Sequence, residues 1–145
     1  EGKGVPQDYV EAVKWFRRAA GQNDASSQCS LGVCYQFGEG VPQDYSEAAK
    51  WFRDAAEQGD PAAQFNLGVR YVNGQGVARD PVQAYQRFSV AAQSLLGKEA
   101  DTARQARDSV KGQLAPDQLA RAEELVRSWR AKPESPGAPG VTPRR

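Results

Sequence analysis

The 145-residue chain contains no histidine and no methionine, and its only cysteines are Cys29 and Cys34. Without histidine there can be no Ser-His-Asp triad, imidazole acid–base pair or histidine-containing zinc site, which excludes much hydrolytic and metal-dependent chemistry. Two cysteines are too few for a disulfide-rich secreted scaffold. On one helix, a spacing of five residues would point them about 140° apart, so we expect two free, buried thiols.

Long apolar runs and an excess of charge are also missing. No stretch reaches the roughly 18 apolar residues that span a bilayer, so the sequence predicts no membrane span. The 19 basic and 18 acidic residues leave a formal net charge of +1, which predicts no general attraction to nucleic acid. Because the chain starts at Glu1 and lacks methionine, we expect it to be the C-terminal part of a longer protein.

What the sequence does contain is an internal repeat of 36 residues. The hexapeptide Gly-Val-Pro-Gln-Asp-Tyr at residues 4–9 recurs unchanged at residues 40–45, and Lys-Trp-Phe-Arg at 14–17 recurs at 50–53. A third copy begins at Gly76. Repeats of this length indicate a stack of units, each of which buries its apolar side against its neighbours.

Each unit is predicted to contain two helices. In residues 44–58 the apolar side chains recur at the spacing of one helical face. The next helix starts at Asp60 and Pro61. Gly32 and Gly68 lie inside helices, where glycine costs about 1 kcal/mol relative to alanine, and we expect them to let two helix backbones approach closely. One start signal, an aspartate followed three residues later by Glu or Gln, occurs three times: Asp8 with Glu11, Asp44 with Glu47, and Asp80 with Gln83.

These residues resemble the Sel-one-like repeat, a relative of the tetratricopeptide repeat with a longer loop between its helices. The family pattern is an alanine, Leu-Gly, a tyrosine, Gly-x-Gly-Val, an aspartate, a Lys-Ala or similar pair, an aromatic residue, and Ala-Ala before a helix-ending glycine. The last full copy matches it at Ala63, Leu67, Gly68, Tyr71, Gly74, Gly76, Val77, Asp80, Ala84, Phe88, Ala91 and Ala92. The copies also depart from it, since Arg87 replaces the tryptophan of earlier copies and Asn23 stands where Gly59 does.

The resemblance implies an all-α, right-handed α-solenoid of helical hairpins that binds a protein or peptide partner and needs no cofactor. We place the repeats in residues 1–97, with a truncated first copy and two complete helix pairs. The resemblance further implies that the chain is not an enzyme and acts as an adaptor or scaffold. The sequence leaves the compartment unknown, although family analogy favours the bacterial envelope, the periplasm or export.

Beyond Gly97 the sequence motif stops and the composition shifts. Helical spacing predicts helices over residues 98–113 and 117–132, which we interpret as a capping helical hairpin at residues 98–132. Trp129 would lie on the second of these helices, where it could seal the stack or bind a partner. Residues 133–145 hold four of the nine prolines and are predicted to be a disordered tail.

The predicted partner-binding residues lie at equivalent positions of two successive helices, on the concave side of the solenoid. Their identities differ between copies, as a binding surface would permit. They are Ser30, Cys34, Phe37, Asn66, Arg70 and Asn73.

Two other functions remain open on the sequence. Some cysteine-rich members of the resembled family bind or hydrolyse β-lactams, which suggests a β-lactam or peptidoglycan-related protein as an alternative. Their paired cysteines join two helices, however, whereas Cys29 and Cys34 share one predicted helix. The other possibility is self-association through helix 8–21, which lacks its partner helix and should expose an apolar side.

Overall fold

The computed structural model describes residues 5–132, and within that range it contains helices and no strand. The helices are α1 (Val5–Gly21), α2 (Ala25–Phe37), α3 (Tyr45–Glu57), α4 (Pro61–Asn73), α5 (Pro81–Ser94), α6 (Gly97–Lys111) and α7 (Pro116–Ser128). Successive helices pack against each other from α1 to α6. The predicted all-α solenoid is therefore confirmed. The predicted tail at residues 133–145 lies outside the described residues.

Aspartates start four helices of the repeats, and the sequence predicted three of these caps but not Asp24. Each accepts a hydrogen bond from a backbone N–H of the first turn, which satisfies a donor that the helix itself leaves unpaired. These caps are Asp24 for α2, Asp44 for α3, Asp60 for α4 and Asp80 for α5. The turns that follow α1 and α3 place Asn23 at φ 69° and Gly59 at φ 95°. Asparagine can replace glycine there because it tolerates the left-handed region better than most residues.

The predicted cap at Asp8 is wrong. Helix α1 already begins at Val5, so Asp8 lies within its first turn, where its charge suits the helix dipole. The identical sequence at residues 41–44 forms a loop, held where the Asp44 N–H donates to the Tyr35 carbonyl at 2.9 Å. Proline is tolerated in a first helical turn, so the segment Val-Pro-Gln-Asp can adopt either conformation.

Gly32 and Gly68 admit aromatic rings rather than helix backbones, which corrects the expectation from the sequence. A Cβ atom on Gly32 would lie 2.7 Å from the Phe52 ring, and one on Gly68 would lie 2.7 Å from the Phe88 ring. Both phenylalanines are buried. The missing side chains thus allow each hairpin, α2–α3 and α4–α5, to close over one buried ring.

The two C-terminal helices differ from the hairpins before them. Helix α6 starts 36 residues after α4, so the spacing of the helices outlasts the sequence motif. Both α6 and α7 pack against α5, through a cluster that includes Val82, Val110 and Ala122. Their role as a terminal cap of residues 98–132 stays a proposal.

The chain leaves α7 earlier than predicted. The helix ends at Ser128, and Trp129 follows it in an extended conformation. The Lys132 N–H donates to the Glu57 carbonyl at 2.7 Å, and the Trp129 ring lies close to Gly59. The segment after α7 therefore runs back along the turn between α3 and α4, where the Lys132 N–H satisfies one carbonyl at the end of α3.

Candidate partner-binding surface

The structure divides the predicted partner-binding residues into buried and accessible ones. Cys34 is 4% exposed and Arg70 is 3% exposed. Cys34 packs with Val13 and Leu31 between α1 and α2. Burial therefore removes Cys34 and Arg70 from the surface that a partner can touch.

Arg70 links three helices from inside the molecule. Its guanidinium lies 5.5 Å from the centre of the Tyr45 ring, at the start of α3. With its amide oxygen turned toward Arg70, Gln36 of α2 accepts from both terminal guanidinium nitrogens at 3.2 Å. Burial lowers the pKa of Arg70 from its ordinary value, while Tyr45 acts in the opposite direction. The contacts explain Arg70 as a packing residue.

Asn66 and Asn73 each border a shallow groove between α4 and α6. The groove beside Asn66 has a volume of about 190 Å³ and includes Phe65 in its wall. The groove beside Asn73 also measures about 190 Å³ and is walled by residues such as Val69 and Ala106. Seven residues of helix separate the two asparagines, which is roughly 10 Å along α4. A pair of apolar recesses, each with an amide at its edge, therefore lies along one seam.

Ser30 and Phe37 mark the equivalent positions on α2. Phe37 lies at the end of the helix and is 63% exposed, which is unusual for a phenylalanine in a folded domain. Ser30 is half-buried. Neither residue is needed by the hydrophobic clusters, so both remain available to a partner.

Both cysteines are free and buried, as predicted. Burial, with a smaller contribution from Asp60, raises the pKa of the Cys29 thiol to about 12. Burial and the charge of Glu39 also raise the pKa of Cys34. Since the thiolate is the reactive form, neither cysteine is activated as a nucleophile.

Two polar contacts repeat with the period of the sequence and were missed by sequence reasoning. Gln28 Nε2 donates to the Ala20 carbonyl at 3.4 Å, and Gln64 Nε2 donates to the Ala56 carbonyl at 2.8 Å. Each glutamine thus satisfies the end of the helix before it. The conspicuous signal was the spacing of 36 residues between two glutamines on otherwise apolar helix faces.

Buried Gln64 also contacts Arg87, the residue that replaces the tryptophan of the earlier copies. The Arg87 Nη1 donates to Gln64 Oε1 at 3.1 Å, and burial lowers the pKa of Arg87.

The second periodic contact joins an arginine to a tyrosine of the next helix. Arg17 donates to the Tyr35 hydroxyl at 2.8 Å, and Arg53 donates to the Tyr71 hydroxyl at 3.5 Å.

Among residues 5–132 no cluster of three potential metal-ligating side chains occurs. None of the helices described in that range is both long and apolar enough to cross a bilayer.

The geometry defines an α-solenoid of paired helices, and comparison with known proteins identifies its family. The Sel1 repeat model matches residues 1–24, 25–60 and 61–94. The chain therefore belongs to the Sel1-repeat family, whose repeats generally serve as protein–protein interaction modules and typically form non-catalytic scaffolds. No curated protein matches the chain.

Solved structures agree with this assignment. One is a protective antigen present in uropathogenic Escherichia coli strains that displays an SLR fold. It is 38% identical, with a TM-score of 0.78 over 83% of this chain and 25% of its own. Another is a Sel1 repeat protein from Oxalobacter formigenes, 34% identical, with a TM-score of 0.61 over 66% of this chain and 28% of its own. The chain thus spans about a quarter of the length of each.

Proposed function

We propose that the chain is a non-catalytic module that binds a protein or peptide partner on the concave face of the solenoid. The pair of grooves between α4 and α6 carries this proposal. Apolar recesses roughly 10 Å apart suit two side chains of one bound segment, since an extended chain covers that distance in about three residues. The amides of Asn66 and Asn73 can each donate to and accept from a peptide backbone.

Rigid packing supports the same proposal. Helix α4, which carries Asn66 and Asn73, is fixed by the buried Leu67 and by the Phe88 ring against Gly68. A surface that is already ordered loses little conformational entropy when a partner binds. Ser30 and exposed Phe37 on α2 are the proposed continuation of the contact surface.

The experiment starts from peptides selected by phage display on the purified chain. We expect Asn66→Arg together with Asn73→Arg to weaken binding of the selected peptides at least tenfold, because the long charged side chains block both grooves. Gln105→Arg is the matched control, since Gln105 is exposed on α6 and lies outside both grooves. Unchanged affinity in the double variant would contradict the assignment of the grooves.

Nothing in the described residues favours the alternative of a β-lactam-binding or hydrolysing protein.

Self-association has one supporting observation. Trp15 on α1 is 64% exposed, whereas its equivalent Trp51 packs into the cluster between α1, α2 and α3. We propose that the side of α1 around Trp15 and Val10 pairs with a second copy. Light scattering over a dilution series should then show a dimer that Trp15→Ser converts to a monomer, and a monomer at every concentration would refute it.

A further inference from the structure

A pocket of about 450 Å³ lies between α5, α6 and α7, away from the grooves described above. Its lining includes three arginines, Arg104, Arg107 and Arg127, together with Glu123. Ser89 also lines the pocket and is 7% exposed. Its buried hydroxyl lies near the Tyr85 hydroxyl but makes no hydrogen bond of normal geometry. A buried hydroxyl without a partner costs free energy, which a bound ligand can recover.

The 36-residue spacing explains why the pocket exists. Thirty-six residues after Arg53 and Tyr71, which form the contact between α3 and α4, stand Ser89 and Arg107. The junction between α5 and α6 therefore lacks the arginine–tyrosine pair of the two junctions before it. Ser89 occupies the position from which, in the two earlier junctions, an arginine contacts a tyrosine.

A second replacement affects the position that receives a ring in the repeats. Arg104 stands 36 residues after Gly68, the position that admits the Phe88 ring. Because arginine has a side chain, this position has no space to receive an aromatic ring from α7. Instead α7 packs on α5, where Gln86 Nε2 donates to the Leu125 carbonyl at 3.3 Å. The space between the three helices stays open and lined by polar groups.

Each of the three arginines pairs with one carboxylate, and this pair does not use all of its N–H donors. Arg104 pairs with Asp101, Arg107 Nε contacts Asp108 at 2.9 Å, and Arg127 contacts Glu124 at 2.8 Å. These pairs are solvent-exposed and contribute little stability. A guanidinium has five N–H donors, so each arginine keeps donors for a ligand.

The charges around the pocket favour some classes of ligand over others. Because each arginine already has a carboxylate partner and Glu123 adds a negative charge, the pocket has no large positive potential for phosphates or nucleic acid. A single carboxylate, by contrast, matches a guanidinium through paired hydrogen bonds. Glu123 in turn suits an N–H donor, and a peptide supplies carboxylate and N–H groups together.

We infer that this pocket binds a peptide segment through one side-chain carboxylate, which contacts the arginines and Ser89 while a ligand N–H donates to Glu123. The inference rests on the proposed function, because it gives the same module a second contact site on its partner. Burial and the charge of Glu123 raise the pKa of the Tyr85 phenol, although Arg107 and Ser89 act in the opposite direction. Tyr85 therefore remains a neutral donor at the edge of the site.

The test uses the whole chain and three probes: acetyl-Ala-Ala-Glu-Ala-Ala-amide, the same peptide with glutamine for glutamate, and inorganic phosphate. We expect the glutamate peptide to bind roughly tenfold more tightly than the glutamine peptide. NMR signals of the Arg104, Arg107 and Arg127 side chains should shift on titration. Failure of the glutamate peptide to bind, or tighter binding of phosphate, would overturn the inference.

Variants connect the binding to the pocket. Arg104→Gln with Arg127→Gln should weaken binding of the glutamate peptide about tenfold, whereas Arg121→Gln, exposed on α7 and outside the pocket, should not. Ser89→Ala should weaken binding without lowering the melting temperature. Equal affinity in wild type and the double arginine variant would refute the site.

The groove variant of the proposed function separates the two proposals. If Asn66→Arg with Asn73→Arg abolishes binding of the display-selected peptides while the glutamate peptide does not bind, the proposed function holds and the pocket inference fails. Arginine-dependent binding of the glutamate peptide, with no effect of the groove variant on selected peptides, leads to the opposite conclusion.

Discussion

The repeat junctions from α1 to α5 and the C-terminal unit of α5 to α7 share a helix spacing and differ in chemistry. In the repeats, Gly32 and Gly68 each receive a ring, and two arginine–tyrosine contacts join successive hairpins. In the C-terminal unit, an arginine occupies the glycine position, and a buried serine hydroxyl beside the Tyr85 hydroxyl replaces the arginine of the earlier junctions. A backbone period can therefore persist after the side chains that close the hairpins have been replaced, and the replacement opens a pocket.

The largest effect is expected from removing a ring that closes a repeat. Phe52→Ala should lower the free energy of unfolding by about 3–5 kcal/mol, because the fully buried ring leaves a cavity beside Gly32. Phe37→Ala is the matched control and should change stability by less than about 0.5 kcal/mol, since Phe37 is exposed. Urea denaturation measures both, and equal losses would contradict the packing described for the α2–α3 hairpin.

A smaller loss is expected at the periodic glutamine. Gln64→Ala should cost about 2–3 kcal/mol, because it leaves the Ala56 carbonyl and the Arg87 guanidinium without their buried partner. Gln105→Ala, on the exposed side of α6, should have almost no effect. Combining Gln64→Ala with Arg87→Leu should recover part of the loss, and strict additivity of the two changes would show that the buried contact contributes nothing.

The same repeat position can be compared in both regions. Gly68→Ala should destabilise the chain by about 1–2 kcal/mol, because the new methyl group must displace the Phe88 ring. Arg104→Ala, 36 residues later, should change stability by less than about 0.5 kcal/mol, because its contacts are exposed. Thermal melts would disprove the difference between the regions if both substitutions cost the same.

The smallest effect concerns the junction contacts. Tyr35→Phe removes the hydroxyl that accepts from Arg17 and should cost about 0.5–1 kcal/mol. Ser89→Ala should cost nothing or slightly raise the free energy of unfolding, because an unsatisfied buried hydroxyl is removed. A clear loss of stability for Ser89→Ala would indicate that the hydroxyl has a structural partner.

Local sequence predicted the helix starts well, and the surface less well. Asp44, Asp60 and Asp80 were recognised as caps because each interaction spans only three residues of chain. Asn66 and Arg70 lie one turn apart on the same helix and were assigned to the same surface. Only the packing of Tyr45 and Gln36 over Arg70 distinguishes them, and those residues are 25 or more positions away.

The pocket between α5, α6 and α7 was not predicted for a similar reason. Its arginines follow the point at which the sequence motif ends, so the period gave no reason to compare Arg104 with Gly68 or Arg107 with Tyr71. The helix starts at Pro61 and Gly97 make that comparison possible.

The amino-acid sequence by itself determined the repeat, the family pattern, the caps and the all-α class, because periodicity and capping act between residues close along the chain. Tertiary structure alone decided which conformation the repeated segment Val-Pro-Gln-Asp adopts. At residues 41–44 it is a loop bonded to Tyr35, and at residues 5–8 it is helix. Tertiary structure also buried Arg70 and Ser89, since burial depends on neighbours that the local sequence does not specify.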